Sequence, residues 1–371
     1  MLITDLKSLD AARSEWEALE AAVRSPIEHF EWSRSCVEAL PGLGRLQMHS
    51  VWDNGRCGAI APFAVRMSSG FRLELIGVKE LSEPMDFIYS SREALARLCD
   101  ELARQRRSIE LPRVTSDSPV VGELRRAYQG RGLVYVRPAD PYPTLEIDPS
   151  WNAPETHFNS GRRSDFRRAL RHAEQDGPTV FEVVTPPPSG LQALLREAYE
   201  VEMRGWKERS GTALALDPLR ASFYRRYFAA CCDKGILRIA FMRIGGKAVG
   251  MQLAIETNQR LWLAKIGHDE AYSRSSPGTL LMLHVAKYAA QRELKSIEFL
   301  GSTEPWTRVW TDRVRDCVWV RVFPFAPASL LPLAIDAWHW SAARIRRRWK
   351  REEEPAARVC RSGSATNLPI S

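Results

Sequence analysis

Residues 237–323 carry an order of strands and helices that few folds can satisfy. Leu237–Ile244 and Lys247–Glu256 are strand-length apolar runs separated by Gly245-Gly246, a pair suited to the positive φ angles of a two-residue hairpin turn. A third run, Arg260–Gly267, follows the polar turn Thr257-Asn258-Gln259. After a loop at 272–276 come a helical pattern over 277–292, a strand at Ser296–Leu300, a short helix at 304–311 and a strand at Cys317–Phe323. Three antiparallel strands, then helix, strand, helix, strand, predict a mixed sheet flanked by helices.

The chain has 371 residues, more than one ordinary core accommodates, so two domains are expected. The first half reads as a mixed α/β unit. Helical patches over 12–40 precede strand-like runs at Leu46–Trp52, Gly58–Val65 and Arg72–Gly77. A helix at 92–106 and short strands near Ile109–Leu111 and Leu133–Val136 follow. The proline-rich stretch Pro138–Pro143 with Asp148-Pro149 reads as an interdomain crossing. Beyond it lie an arginine-rich helix around 162–171, a strand at Thr179–Val184 and amphipathic helices at about 189–208 and 218–233. The expected domains are 1–148, 149–325 and a C-terminal piece, 326–371, made of an amphipathic basic helix and a disordered tail.

Net charge is +8, but residues 331–371 hold eight Lys or Arg against four Asp or Glu and so supply half of it. That distribution suits a basic tail or a local anion site, not a nucleic-acid footprint over the whole protein, and no DNA partner is expected. The seven cysteines are scattered, with no C-x-x-C pair, as in a reduced cytoplasmic protein. The amino terminus lacks the basic-then-apolar pattern of a secretory leader. Between Arg321 and Arg344 the chain is nearly uncharged, but Pro324, Pro327, Pro332 and Asp336 argue against a membrane-spanning helix. Apolar residues and tryptophans at 330–340, followed by Arg344, Arg346, Arg347, Arg348, Lys350 and Arg351, suit either a helix at an anionic membrane surface or one packed on the second domain.

The sharpest local feature is Tyr272-Ser-Arg-Ser-Ser-Pro-Gly-Thr-Leu-Leu281. Ser276 suits an N-cap and Pro277 the first helical position, while Gly278 lets a ligand or a neighbouring backbone come close. The N–H groups of Gly278, Thr279 and Leu280 would face an anion such as a pyrophosphate, with Arg274 adding charge; a merely well-capped helix is the alternative. Glu298, mid-strand among apolar residues, is either a base with a raised pKa or a salt-bridged strand residue. Asp269 is either a base or a structural acceptor for the following loop. His268 and Tyr272 complete the acid/base candidates. Motifs of metalloproteases, serine hydrolases and P-loop proteins are missing.

These residues together resemble the GNAT acyltransferase superfamily, and within it the CelD-type, Fem-like branch with two GNAT-like domains in tandem. The resemblance rests on Gly205-Trp206-Lys207, Gly211–Leu214, Gly267–Tyr272, Ser276-Pro277-Gly278 and the Gly301…Trp306…Trp310 run, and covers about residues 25–325. It implies two tandem α/β domains with mixed, mostly antiparallel sheets. It also implies CoA pyrophosphate binding at the helix start after the third strand of the 237–267 block, and a backbone N–H of Ile266 or Gly267 polarising the thioester carbonyl. Trp206, Lys207, Trp306 and Arg308 would face the acceptor, with a core tryptophan the alternative for Trp206. His268 stands where the branch often has Tyr, and reads as an acid/base group or an aromatic replacement. Thr307 stands where it often has Lys, which leaves Arg308 to supply the cation. The implied activity is transfer of an acyl group, acetyl in the first instance, from acyl-CoA to an amine or hydroxyl in polysaccharide or envelope synthesis. No permanently bound cofactor or metal is expected. The alternatives are a Fem-like aminoacyl transferase using charged tRNA and a non-catalytic scaffold at the membrane surface. The expected location is the cytoplasm, extending to the inner face of the membrane.

Overall fold

The computed structural model describes residues 2–20, 23–53, 55–205 and 217–338. In the first half, β1 (Leu2–Ile3), α1 (Leu6–Ala11), α2 (Arg13–Leu19) and α3 (Phe30–Ala39) precede β2 (Arg45–Leu46), β3 (Met48–Asp53), β4 (Arg56–Ala61), β5 (Phe63–Val65) and β6 (Leu73–Leu75). Then come α4 (Val78–Leu81), β7 (Ile88–Tyr89), α5 (Arg92–Arg104), β8 (Ile109–Thr115), α6 (Pro119–Ala127) and β9 (Gly132–Glu146). The second half runs α7 (Ser160–Asp176), β10 (Thr179–Val184), α8 (Leu191–Met203), α9 (Pro218–Asp233), β11 (Leu237–Ile244), β12 (Lys247–Thr257), β13 (Arg260–His268), α10 (Pro277–Gln291), β14 (Ser296–Phe299) and β15 (Val314–Pro324). The order expected for 237–323 is therefore present, except that 304–311 contains only the 3-10 turn Thr307–Val309. There the Thr307 hydroxyl donates to Glu304 O at 2.8 Å and accepts from Glu304 N at 3.2 Å, closing a tight turn after Pro305.

Among the described residues the strands form two sheets, one ordered β1-β3-β4-β7 and the other β10-β11-β12-β13-β14-β9-β15-β8-β6-β5-β2. Pairing is antiparallel apart from β13 with β14 and β6 with β8. The large sheet interleaves the two halves. Strand β9 pairs through Thr144–Glu146 with β14 and through Gly132–Pro143 with β15, which in turn pairs with β8. The stretch Pro138–Pro143, expected as a crossing loop, is strand. Its ladder with β15 slips between Arg315 and Cys317, opposite Ala139–Tyr142, so Pro141 falls where a missing N–H breaks no pairing.

Aromatic packing adds to the backbone connection. Trp32 of α3 meets Phe223 and Tyr227 of α9 edge-on at 4.8 and 5.1 Å, and the Tyr227 hydroxyl donates to Pro26 O at 3.1 Å. Each such ring pair contributes about 0.5–1.5 kcal/mol beyond the area it buries. Buried Arg113, at the slip between β8 and β15, donates to the carbonyl oxygens of Ser82, Asp140, Pro141 and Gly301. One guanidinium thus joins the α4 turn, β9 and the residues after β14.

Residues 330–338 are helical, and the helix lies against the first half. Its Asp336 is 1% exposed and paired with Arg72 at 3.0 Å and Arg321 at 2.6 Å. No helix among the described residues is long and apolar enough to cross a membrane.

A cavity of about 390 Å³ lies at the junction, lined by Glu28 and Asp86 from the first half and Arg260 and Trp262 from the second. Burial, then the charge of Asp86, pushes the Glu28 carboxyl up to about 8, and burial pushes Asp86 up to about 6. The folded chain therefore retains protons that the unfolded chain releases above the ordinary carboxylate range. Their contribution to stability is full at acid pH and is lost as pH rises through about 6 and then about 8. Glu28→Gln should accordingly gain stability relative to the wild type as pH is raised. Thermal melts across that range check it, and a difference that stays constant with pH would count against the assignment.

Candidate active site

Strands β13 and β14 start together and then part. Their parallel pairing runs from Arg260↔Ser296 to Leu263↔Phe299 and stops there. At the same point β13 slips against β12, since Leu253 faces Lys265 while Ala254 faces Leu263. The extra residue, Ala264, is a bulge that turns β13 away from β14. Helix α10 begins below the widened end, and the Trp306–Trp310 segment closes the opposite wall.

The resulting cavity, about 320 Å³, is lined by Met251, Gln252, Ile266, Gly267, His268, Ser273, Ser276–Thr279, Trp306, Val309 and Trp310. Small-molecule sites commonly occupy about 300–1,000 Å³. Ile266, Gly267, His268, Ser276, Gly278, Thr279 and Trp306 are thus brought together as the sequence led us to expect. A Cβ on Gly278 would have only His268 Nδ1 within 4 Å, at 3.7 Å, so this wall is open to a ligand. Gly267 is needed on the other side, where a Cβ would stand 3.0 Å from Glu202 Cα of α8.

The helix start differs from expectation in two respects. Ser276 occupies the N-cap position with φ 43° and ψ 56°, a left-handed conformation, and its side chain makes no capping bond. Its carbonyl instead accepts from Thr279 N at 3.0 Å and Leu280 N at 3.1 Å. Those two N–H groups are already engaged, and the Leu280 side chain is buried in the core. Gly278 is the first residue of α10 with an N–H, because Pro277 has none.

The remaining candidates lie outside the lining. Arg274 and Arg308 are exposed on the adjoining turns. Tyr272 is half-buried, with the Lys247 ammonium 5.0 Å from its ring centre. Asp269, 3% exposed, accepts from Ala271 N at 3.0 Å and pairs with Lys247 and Arg204, each at 2.9 Å. Burial works to raise its pKa, but the Lys247 and Ala271 bonds and the charges of Lys247 and Arg204 outweigh it and hold the carboxyl below its ordinary value. Glu298 is fully buried on the face toward the 390 Å³ junction cavity. It accepts from Arg260 at 3.0 Å, Ser296 at 2.7 Å and Arg315 at 2.9 Å. Trp206 and Lys207 lie outside the described residues.

Sequence reasoning missed Met251, Gln252, Ser273, Val309 and Trp310. Gln252 had a signal, since it is the polar residue within the apolar run Ala248–Ile255. It is 4% exposed and its Oε1 has no hydrogen-bond partner, an acceptor kept available beside the cavity.

The sequence pattern of the acetyltransferase (GNAT) domain matches residues 160–308. This stretch is similar to a GNAT acetyltransferase domain. The match supports classing the protein as an acyl-CoA-dependent acyltransferase. No curated protein matches the sequence significantly. Three solved structures share the fold. The C-terminal domain (DUF2156) of a protein assigned as a lysylphosphatidylglycerol synthetase from Agrobacterium fabrum has 13% identity and TM-score 0.55, covering 89% of this chain and 96% of its own. A conserved protein of unknown function from Bacteroides thetaiotaomicron has 12% identity and TM-score 0.55, covering 87% and 100%. FemX has 13% identity and TM-score 0.54, covering 83% and 95%.

Glu298→Gln should behave first as a stability variant. Removing one partner of a fully buried ion pair costs about 3–5 kcal/mol. Arg260 and Arg315 are 32% and 33% exposed, so the low end applies. Denaturant unfolding tests this, and an unchanged midpoint together with a large loss of turnover would return Glu298 to the role of base.

Proposed function

We propose that the protein transfers an acyl group, acetyl in the first instance, from CoA to an amine or hydroxyl of a saccharide or other envelope precursor held between its halves. The carrying observation is the gap between β13 and β14, with the 320 Å³ cavity along its β13 edge and, past the end of β14, Gly301 and Ser302 in the wall of a second cavity. That cavity, about 550 Å³, is lined by Arg113, Arg137, Asp140, Gly301, Ser302 and Trp319 among others, from both halves. A CoA pyrophosphate would lie at Gly278 N–H with Arg274 nearby, and the pantetheine arm would follow Ile266 and Gly267 into the gap. The free Gln252 Oε1 suits an amide N–H of that arm. The acceptor would enter from the 550 Å³ side, where guanidinium and indole groups suit a polar ring.

The CoA reading is favoured over charged tRNA by charge. Residues 1–330 carry 45 basic against 41 acidic side chains, too even a balance for a broad phosphate-binding surface. The chain is read as two GNAT-like units, 1–148 and 149–325, because each half has one parallel strand pair, β6/β8 and β13/β14.

A peripheral membrane contact through 330–338 is favoured by the orientation of that helix. Its acid, Asp336, faces inward, while Leu330 and Trp338 are 68% and 74% exposed; Leu331 and Leu333 also face outward. Exposed apolar side chains ahead of a basic run suit the interface of an anionic bilayer.

Acetyl-CoA should raise the melting temperature, with about 2.7 kcal/mol of stabilisation at 100 times its dissociation constant. Gly278→Asp should abolish that shift by placing a carboxylate where the pyrophosphate lies. If no CoA thioester shifts the wild type at millimolar concentration, the acyl-CoA reading fails. Flotation with anionic vesicles should recover the full chain at low salt and lose it at high salt, and truncation after Phe325 should prevent recovery. Equal recovery of the truncated chain would refute the membrane contact.

A further inference from the structure

The second half's two leading carboxylates are occupied. Asp269 is held by Lys247, Arg204 and a backbone N–H, and Glu298 by two arginines and a serine. Acyl transfer needs a group that accepts the acceptor's proton. A buried carboxylate from the first half lies at the mouth of the gap. Glu83 follows Ser82, which has φ 61°, a left-handed value uncommon outside glycine, so the chain turns sharply to present it. It is 7% exposed and accepts from Gly301 N at 3.3 Å.

Its position can be fixed from both edges of the gap. Gly301 follows β14 directly, two residues beyond the last pair with β13. Lys265, whose charge acts on Glu83, follows the Ala264 bulge on β13. Glu83 is thus hydrogen-bonded just past the β14 edge of the gap and feels the charge of Lys265 from the β13 edge. Lys265 lies 4.2 Å from the Tyr224 ring of α9, on the sheet face away from α10, from which an acceptor would approach a thioester entering along α10. A Cβ on Gly301 would meet nothing within 4 Å, so the space beside Gly301 is open. Ser82, Arg113 and Gly301, the neighbours of Glu83, line the 550 Å³ cavity.

We propose that Glu83 is the general base of the transfer reaction, supplied by the first half to the site of the second. This rests on the acyl-CoA reading above. The Glu83 carboxylate takes the proton from the acceptor N–H or O–H as the acceptor's lone pair forms its bond to the thioester carbonyl carbon. The C–S bond then breaks, the electron pair leaves with sulfur, and the proton passes from Glu83 to the departing thiolate. Burial places the carboxyl above its ordinary pKa; Lys265, Arg113, the Gly301 N–H and Arg220 pull it back without cancelling the rise. Tyr224 is the further titratable group facing it. The base therefore takes up its proton at higher pH than an ordinary carboxylate does, and turnover rises as it ionises.

The test uses the full chain, acetyl-CoA as donor, ethanolamine or water as acceptor, and thiol release as the readout, with acetyl-CoA binding measured separately by calorimetry. Glu83→Gln should lower turnover about 10²–10⁴-fold and remove the rising acid limb of the pH profile, with acetyl-CoA affinity unchanged. Glu83→Asp should restore part of the rate. Glu202→Gln, at a buried carboxylate of α8, should keep the limb. Full turnover in Glu83→Gln, a parallel loss of acetyl-CoA binding, or a wild type that binds acetyl-CoA but releases no thiol would overturn the proposal. A wild type that does not bind acetyl-CoA fails at the earlier step, and the acyl-CoA reading falls with it.

Discussion

The ladder between β9 and β15 is the connection on which the rest of the molecule depends. It runs from Val314↔Pro143 to Pro324↔Gly132 and joins the last strand of the first half to the last strand of the second. Each of these strands then pairs with the other half's sheet, β9 with β14 and β15 with β8. Neither half closes its sheet with its own chain alone. The exchange also explains the length of β9, since one strand must reach both neighbours. Hydrogen bonds between strands fix spacing to a few tenths of an ångström, so the cleft between the halves has walls set by backbone geometry as well as by side-chain packing.

That rigidity bears on the chemistry. The gap between β13 and β14 exists because one extra residue at Ala264 ends their pairing, and Gly301 stands at its rim. Both polar groups of Gly301 are held by the first half, its N–H by Glu83 and its carbonyl by Arg113. The width of the gap is thus set from across the molecule. A guanidinium bound to four carbonyls is an unusual use of a buried cation, because it leaves a positive charge beside the cavity without a hydrogen-bonded carboxylate. Such a charge favours an acceptor or transition state that carries negative charge nearby.

Much of the second half was legible because its signals are local. The Gly245-Gly246 turn, the alternation along β11 and β12, and Ser276-Pro277 each act within a few residues, and the strands fell within one residue of expectation except β15, which starts three residues earlier. Gly278 was singled out for the same reason, whereas Ile266 and Gly267 came from the family resemblance; all three line the 320 Å³ cavity. What failed depends on distant partners. Pro138–Pro143 reads as loop until β15, more than 170 residues later, supplies a pairing edge. Glu298 stays open between a base and a salt-bridged strand residue until Arg315 arrives from the next strand but one. The capping role of Ser276 was lost to a backbone angle its side chain does not encode. Glu83 lies in a short polar loop with no periodicity, and its setting is made by residues 113, 265 and 301.

The exchanged strands also govern the order in which the protein can be completed on the ribosome. Strand β8 ends at Thr115, but its neighbour β15 ends at Pro324. At about 5–20 residues per second, the edge of β8 waits roughly 10–40 s for its partner to be synthesised. During that interval the nascent first half presents an unpaired strand edge that any extended segment could join. Contacts so far apart in sequence also slow folding after release. A chain built this way couples completion of its catalytic cleft to the arrival of nearly its last ordered strand, so truncated translation products would lack that cleft.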